Sequence, residues 1–174
     1  MLIYDILKRD HDRVKFLLTE ITELTLDDVQ WHSALITQLQ QALVPHSTAE
    51  EDVFYDAFHT KDKGKNIAVH GYQEHLSIEY LLRTLSLKDR QDLDWKETAL
   101  QLKTAVEHHI SDEENALFPL AQQLFSDQEA YLMGQEFIRL RDEFSKDQRP
   151  ELKIVESLAT IGQSRLKRSS STRI

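Results

Sequence analysis

Four histidines stand at repeated spacings beside carboxylates. His46 precedes Glu50 and His109 precedes Glu113 in the segments HSTAEEDVF and HISDEENAL, which align at an offset of 63 residues (109 minus 46). Leu39 and Leu102, then Ala42 and Ala105, match at the same offset. His11 and His75 open HDRVKFLL and HLSIEYLL, each directly after an acid, Asp10 or Glu74, at an offset of 64 (75 minus 11). On a helix, residues i and i+4 share one face, so His46 with Glu50, and His109 with Glu113, present an imidazole and a carboxylate side by side. In a chain without cysteine, imidazole with carboxylate is the transition-metal donor set that remains.

The neighbours of these residues place them inside the fold. Leu7, Val14 and Leu18 share a helix face with His11, and Leu39, Ala42 and Leu43 with His46. Ile78 and Leu82 do so with His75, and Leu102, Ala105 and Val106 with His109. An unpaired carboxylate in such a core costs several kcal/mol, and two would repel one another. A pair of divalent cations resolves this, with His11, His46, His75 and His109 as terminal ligands and Glu50 and Glu113 able to bridge. Composition alone gives about 0.7 His-x-x-x-Glu pairs by chance, whereas the chain has four. The other two, His70 with Glu74 and His75 with Glu79, have no counterpart in the first half, where Ile6 and Lys15 stand in place of His70 and Glu79.

The remaining histidines are weaker candidates. His32 lies 14 residues before His46, about 21 Å along a helix. His59, 13 residues after His46, and His70, five before His75, each point about 140° away from their neighbour, and His108 about 100° from His109. A helix kink is what would turn His70 or His108 inward.

The elements that must position these groups are helices. Only 4 glycines and 3 prolines occur in 174 residues, too little turn chemistry for a sandwich, a barrel or a doubly wound sheet. Apolar periodicity predicts helices over about 2–25, 28–59, 67–86 and 92–125, with Thr25 or Asp27 as a cap, Pro45 kinking or dividing the second, and KDKGKN at 61–66 as a turn. Short links between them favour an all-α, up-down-up-down four-helix bundle with an internal two-helix duplication over residues 1–125. Residues 126–174 add a fifth helix, about 127–145, and a tail with seven basic residues against three acidic ones. That tail is a solvated terminus or an arm docking on an acidic partner or a second copy, so a homo-oligomer through the C-terminal helix is one expectation.

The absence of cysteine excludes a disulfide framework, an iron-sulfur cluster and a thiolate zinc site. A net charge of -9 argues against nucleic acid as partner. The longest run without charged residues, Val29 to Ala49, holds four glutamines, two histidines and a proline, so no membrane span is expected, and MLIYDILKRDHD lacks a signal-peptide core. A cytoplasmic protein is the expectation.

The order His11, His46-x-x-x-Glu50-Glu51, Glu74-His75 and His109-x-x-x-Glu113-Glu114 followed by Leu117-Phe118-Pro119 resembles the hemerythrin-like, or HHE cation-binding, family over residues 2 to about 125. The resemblance implies a four-helix bundle around a non-heme diiron centre. One iron would be held by His11 and His46 and the other by His75 and His109, with Glu50, Glu113 and an oxo or hydroxo group bridging. The oxygen-carrying members have a further histidine four residues before the third-helix ligand, where this chain has Gly71. The implied six-ligand set is more like that of bacterial HHE proteins linked to nitrosative stress and iron-sulfur repair. Its implied ligands are dioxygen or nitric oxide, and its metal two iron ions, with manganese or zinc allowed by the same donors. With Gly71 in that place, a coordination position is expected to stay open to water or a gas.

Other classes compete with this one. Ferritin-like ferroxidases use Glu-x-x-His, which is absent here. A dinuclear-metal oxidase or hydrolase would need an inward acid or base beyond the six, and a structural helical adaptor would act through the C-terminal helix; metal content separates the last from the rest.

Overall fold

The computed structural model describes residues 1–25, 29–59, 61, 65–88 and 94–146. The cap expected at Asp27, residues 62–64 of the expected turn and the tail beyond residue 146 lie outside them, as does the side chain of His59. Lys65 and Asn66, assigned to that turn from sequence, belong instead to the following helix.

The described residues are all-α. Helix α1 spans Ile3–Glu23, α2 Val29–Glu50, α3 Asp56–His59, α4 Lys65–Leu87, α5 Trp95–Asp112, α6 Phe118–Leu124 and α7 Asp127–Lys146. Contacts of α1 with α2 and α5, and of α4 with α5 and α2, close a ring of four long helices, and α7 lies across α1 and α2. Pro45 stands inside α2 without dividing it. No helix among the described residues is long and apolar enough to cross a membrane.

Two five-residue π-helical turns, Glu51–Tyr55 after α2 and Glu113–Leu117 after α5, depart from the uninterrupted helices expected from sequence. They occupy places in the two halves that differ by one residue from the 63-residue offset. A π turn widens the helix by one residue, so side chains that would diverge on an α-helix can converge on one side. Here it keeps Phe54 and Tyr55, and then Leu117 and Phe118, buried although each pair is adjacent in sequence.

The core has two parts. An aliphatic cluster of Val14, Leu18, Ile21, Leu39, Leu82, Leu102 and others fills one end of the bundle. A second cluster, rich in rings (Tyr4, Phe54, Tyr55, Phe58, Phe118, Phe137), fills the other. Helix α7 seals this second end. Ser126 and Glu129 form a capping box at its start, the serine N–H and hydroxyl donating to the glutamate at 2.8 Å and the Glu129 N–H donating back at 3.3 Å. Gly134 lets α7 approach α1 closely, since a Cβ there would stand 2.9 Å from Ile6 Cδ1.

Candidate metal centre

Each long helix buries one stripe at alternating steps of three and four residues. In α2 and its equivalent α5 the stripes are Ile36, Leu39, Leu43, His46, Glu50 and Ala99, Leu102, Val106, His109, Glu113. In α1 and α4 they are Leu7, His11, Val14, Leu18, Ile21 and Gly71, His75, Ile78, Leu82, Leu85. The second member of each pair is the first shifted by the repeat offset. Polar residues thus replace aliphatic ones at the junction of the two core clusters, and packing on both sides carries them inward.

All six expected residues meet there, each no more than 5% exposed. His11 and His46 have ring centroids 5.2 Å apart, and His75 and His109 4.6 Å apart. Glu50 Oε2 stands 3.5 Å from His46 Nε2 and 3.6 Å from His75 Nε2. Glu113 Oε2 stands 3.3 Å from His11 Nε2 and 3.7 Å from His109 Nε2. Each carboxylate therefore reaches one imidazole of each pair. His11, His46 and Glu50 form one group able to hold a cation, and Glu50, His75 and His109 another.

A second ring of carboxylates, whose roles sequence spacing did not disclose, faces the outer nitrogens. Nδ1 of His11 lies 3.0 Å from Glu114, Nδ1 of His75 3.0 Å from Glu51, Nδ1 of His109 3.0 Å from Glu74 and Nδ1 of His46 3.4 Å from Asp10. A carboxylate only accepts, so each Nδ1–H donates, which fixes the tautomer of the neutral ring and leaves its Nε2 bare toward the centre when a metal takes the place of the second proton. The pairing crosses the repeat. The acid preceding His11 or His75 serves the histidine of the next helix, and the acid following Glu50 or Glu113 serves the histidine of α4 or α1. The signal was present in the acids before His11 and His75 and in the doubled Glu50-Glu51 and Glu113-Glu114.

Electrostatics show what such a centre requires. Burial alone would depress His46, but the charge of Glu50 and the hydrogen bond to Asp10 outweigh it and carry its pKa up to about 10. Burial and the neighbouring charge on His109 pull His75 down to about 3. His109 is raised, because Glu113 and Glu74 outweigh its desolvation. Glu113 is lowered despite burial, chiefly by His109 and then His11. His75 Nε2 and His109 Nε2 face one another at 3.0 Å. Two bare lone pairs would repel at that distance, so without metal a proton must sit between them.

The donor set fits a metal on the atoms themselves. His11 Nε2, both oxygens of Glu50 and Glu113 Oε2 are buried without a hydrogen-bond partner, in a structure where such groups are normally satisfied. Two nitrogens about 2.1 Å from one ion and at right angles to it are about 3.0 Å apart, the separation seen for His75 and His109. The four histidines themselves line a cavity of about 10 Å³, closed on its other side by Val14, Leu43, Ile78 and Val106, with room for about one water molecule.

The position beside Gly71 is a correction to the sequence reading. It is not left open to solvent or gas: a Cβ on Gly71 would lie 2.5 Å from the hydroxyl of Tyr55, whose ring fills the space. Tyr55 stacks on His75 at 5.4 Å, as its repeat equivalent Phe118 stacks on His11 at 6.1 Å. Its hydroxyl donates to Glu113 Oε1 at 2.5 Å. Burial, then the charges of Glu113 and Glu50, push the phenol well above its ordinary pKa, so it stays protonated. The weaker histidines stay out of this centre. His32 is buried against Trp95 and the Thr25 carbonyl, while His70 and His108 are exposed beside Glu74.

Comparison with known proteins agrees with this geometry. Residues 2–121 match the family model described as the hemerythrin HHE cation binding domain. The chain is also similar to a protein named DNA nickase from Nostoc sp. (strain PCC 7120), with 26% identity over 137 residues. The match takes in 79% of this chain and 38% of that protein, so the chain spans well under half of its relative.

Proposed function

Because the chain belongs to the hemerythrin HHE cation-binding family, we propose that its metal centre is a pair of irons which binds a diatomic gas, dioxygen or nitric oxide, in sensing, iron homeostasis or stress defence. His11 and His46 hold one ion, His75 and His109 the other, and Glu50 and Glu113 bridge them. The observation that carries this reading is the reach of each carboxylate, 3.3 to 3.7 Å, to one imidazole of each pair. When bound, such a pair of irons supplies reversible redox change and open positions for a small ligand.

The chain's own residues set the terms of that chemistry. Glu51, Glu74, Glu114 and Asp10 orient the four imidazoles. The cavity between the imidazoles and the aliphatic side chains has room for a ligand about the size of a water molecule and is too small for a larger substrate. Tyr55 keeps the proton on its hydroxyl and donates a hydrogen bond to Glu113, which holds that carboxylate in place beside the imidazoles. Nicking of DNA does not follow from the likeness to the Nostoc protein, because most of that protein lies outside the match and a net charge of -9 repels a phosphate backbone.

Anaerobic loading with ferrous iron followed by metal analysis and a visible spectrum in air tests the reading. About two irons per chain are expected, a coloured oxidised form that simple degassing does not bleach, and a distinct spectrum when the reduced form meets nitric oxide. Iron at or below about 0.2 per chain would remove the metal reading. Full return of the reduced spectrum on degassing would make the protein a reversible oxygen carrier instead.

A further inference from the structure

The duplication allows the two outer faces of the centre to be compared position by position. Ile6, Asp10, Pro45 and Ala49 of the first half become His70, Glu74, His108 and Asp112 in the second. In the first half this face is closed: Ile6, Pro45 and Ala49 are buried, Gly134 of α7 packs against Ile6, and Arg141 of α7 binds both oxygens of Asp10 at 3.0 and 2.8 Å. In the second half the three apolar residues are replaced by two imidazoles and a carboxylate, with side chains 57%, 66% and 50% exposed for His70, His108 and Asp112. The substitutions convert a packed face into one lined with metal-binding donors.

Those donors converge. His70 Nε2 lies 3.4 Å from Glu74 Oε1 across one turn of α4. On α5, His108 Nδ1 lies 3.6 Å from Asp112 Oδ2 and also 3.4 Å from the same Glu74 oxygen. One donor atom each from His70, Glu74 and Asp112 falls within 4.8 Å of the others. A surface i,i+4 pair needs no second helix and contributes only a few tenths of a kcal/mol. Here two such pairs on neighbouring helices meet at Glu74, whose Oε1 lies 3.4 Å from both His70 and His108 while its Oε2 holds His109 Nδ1 at 3.0 Å.

We propose that His70, Glu74, His108 and Asp112 form a second, solvent-facing site for a divalent transition-metal ion of the imidazole-and-carboxylate class, separate from the buried pair. Both helices are held by the bundle, so the donors are brought together before any ion arrives, and the unfilled positions belong to water. The ion would sit one carboxylate away from His109.

Zinc titrated calorimetrically into iron-loaded protein, with retained iron measured after the titration, tests this. One further zinc per chain is expected, with the iron undisturbed. His70→Ala and His108→Ala should each weaken that zinc at least about tenfold, and the double variant should lose it, with melting temperatures unchanged because both side chains are exposed. Absence of the extra zinc, or its survival at full affinity in the double variant, would overturn the proposal. The same titration on His75→Ala, in which the buried centre is broken, should still show the outer zinc and its loss on adding both substitutions. This keeps failure of the outer site distinguishable from failure of the diiron reading.

Discussion

Glu51 and Glu114 touch no metal in the proposed arrangement, yet their removal should be felt at both ions. Each lies 3.0 Å from the Nδ1 of a buried histidine, His75 and His11, which belong to different metal pairs. Glutamine in place of either carboxylate keeps an oxygen to accept the Nδ1–H but removes the charge that makes the imidazole a better donor; alanine removes both. Outer partners of this kind are worth about 10- to 100-fold in metal affinity, or about 1.4 to 2.8 kcal/mol. The glutamine variants should fall near the lower value and the alanine variants near the upper. Because the two residues occupy equivalent places, Glu51→Gln and Glu114→Gln should have similar effects, and together they should act nearly additively if the ions bind independently. Glu107 on α5, 3.9 Å from Lys103 and about half exposed, is the control: its glutamine variant should bind iron as the parent does. Competition against a chromophoric chelator under anaerobic conditions reads the affinities. Changes within twofold of the parent for Glu51→Ala and Glu114→Ala, or an equal loss for Glu107→Gln, would refute the orienting role.

Two further outcomes are expected. Glu50→Gln combined with Glu113→Gln removes two buried negative charges, so metal binding should weaken and the difference in melting temperature between loaded and metal-free protein, several degrees in the parent, should narrow; an undiminished difference would place these carboxylates outside the centre. The metal-free protein should be most stable near pH 6.5. The contribution of His46, raised from 6.5 to about 10, is complete below its ordinary pKa and is lost as pH climbs toward 10. His75, depressed from 6.5 to about 3, opposes folding increasingly as pH falls between those values, and lowered Glu113, Glu74 and Asp10 lose their contributions as they protonate in acid. Urea midpoints measured from pH 4 to 10 should pass through a maximum, and a steady rise or fall would contradict these assignments.

The inward histidines and glutamates were legible because they follow helical spacing. A stripe at steps of three and four carries His46 and Glu50 in α2 just as it carries Leu39 and Leu43, so apolar neighbours revealed which face the polar residues share. What stayed hidden broke that period or depended on a third element. The π turn at Glu51–Tyr55 brings two adjacent aromatic residues inward together, which no 3.6-residue pattern anticipates. The consequence was an error at Gly71: its missing side chain read as an opening, whereas Tyr55 from across the bundle occupies it. The outer carboxylates were visible as repeated letters, but their partners lie on other helices, 24 to 103 residues away along the chain, and only packing discloses them.

The same packing shows how duplication was turned to unequal use. Both halves supply two inward imidazoles, one inward carboxylate and two outer ones, so the halves could serve two ions alike. They differ in what surrounds that set. Phe118 against His11 is apolar, whereas Tyr55 against His75 carries a hydroxyl to Glu113. Asp10 is clamped by Arg141 of α7, whereas Glu74 is met by the imidazoles of His70 and His108 at the surface. A salt bridge that pins Asp10 holds His46 rigidly, while a carboxylate shared among imidazoles can change partners with the ion or proton bound outside. Both the proton-bearing phenol and the solvent-facing donors thus belong to the side of His75 and His109. The His11 and His46 side is held by apolar packing and α7, whereas the His75 and His109 side carries the phenol hydroxyl on Glu113 and meets solvent through His70 and His108.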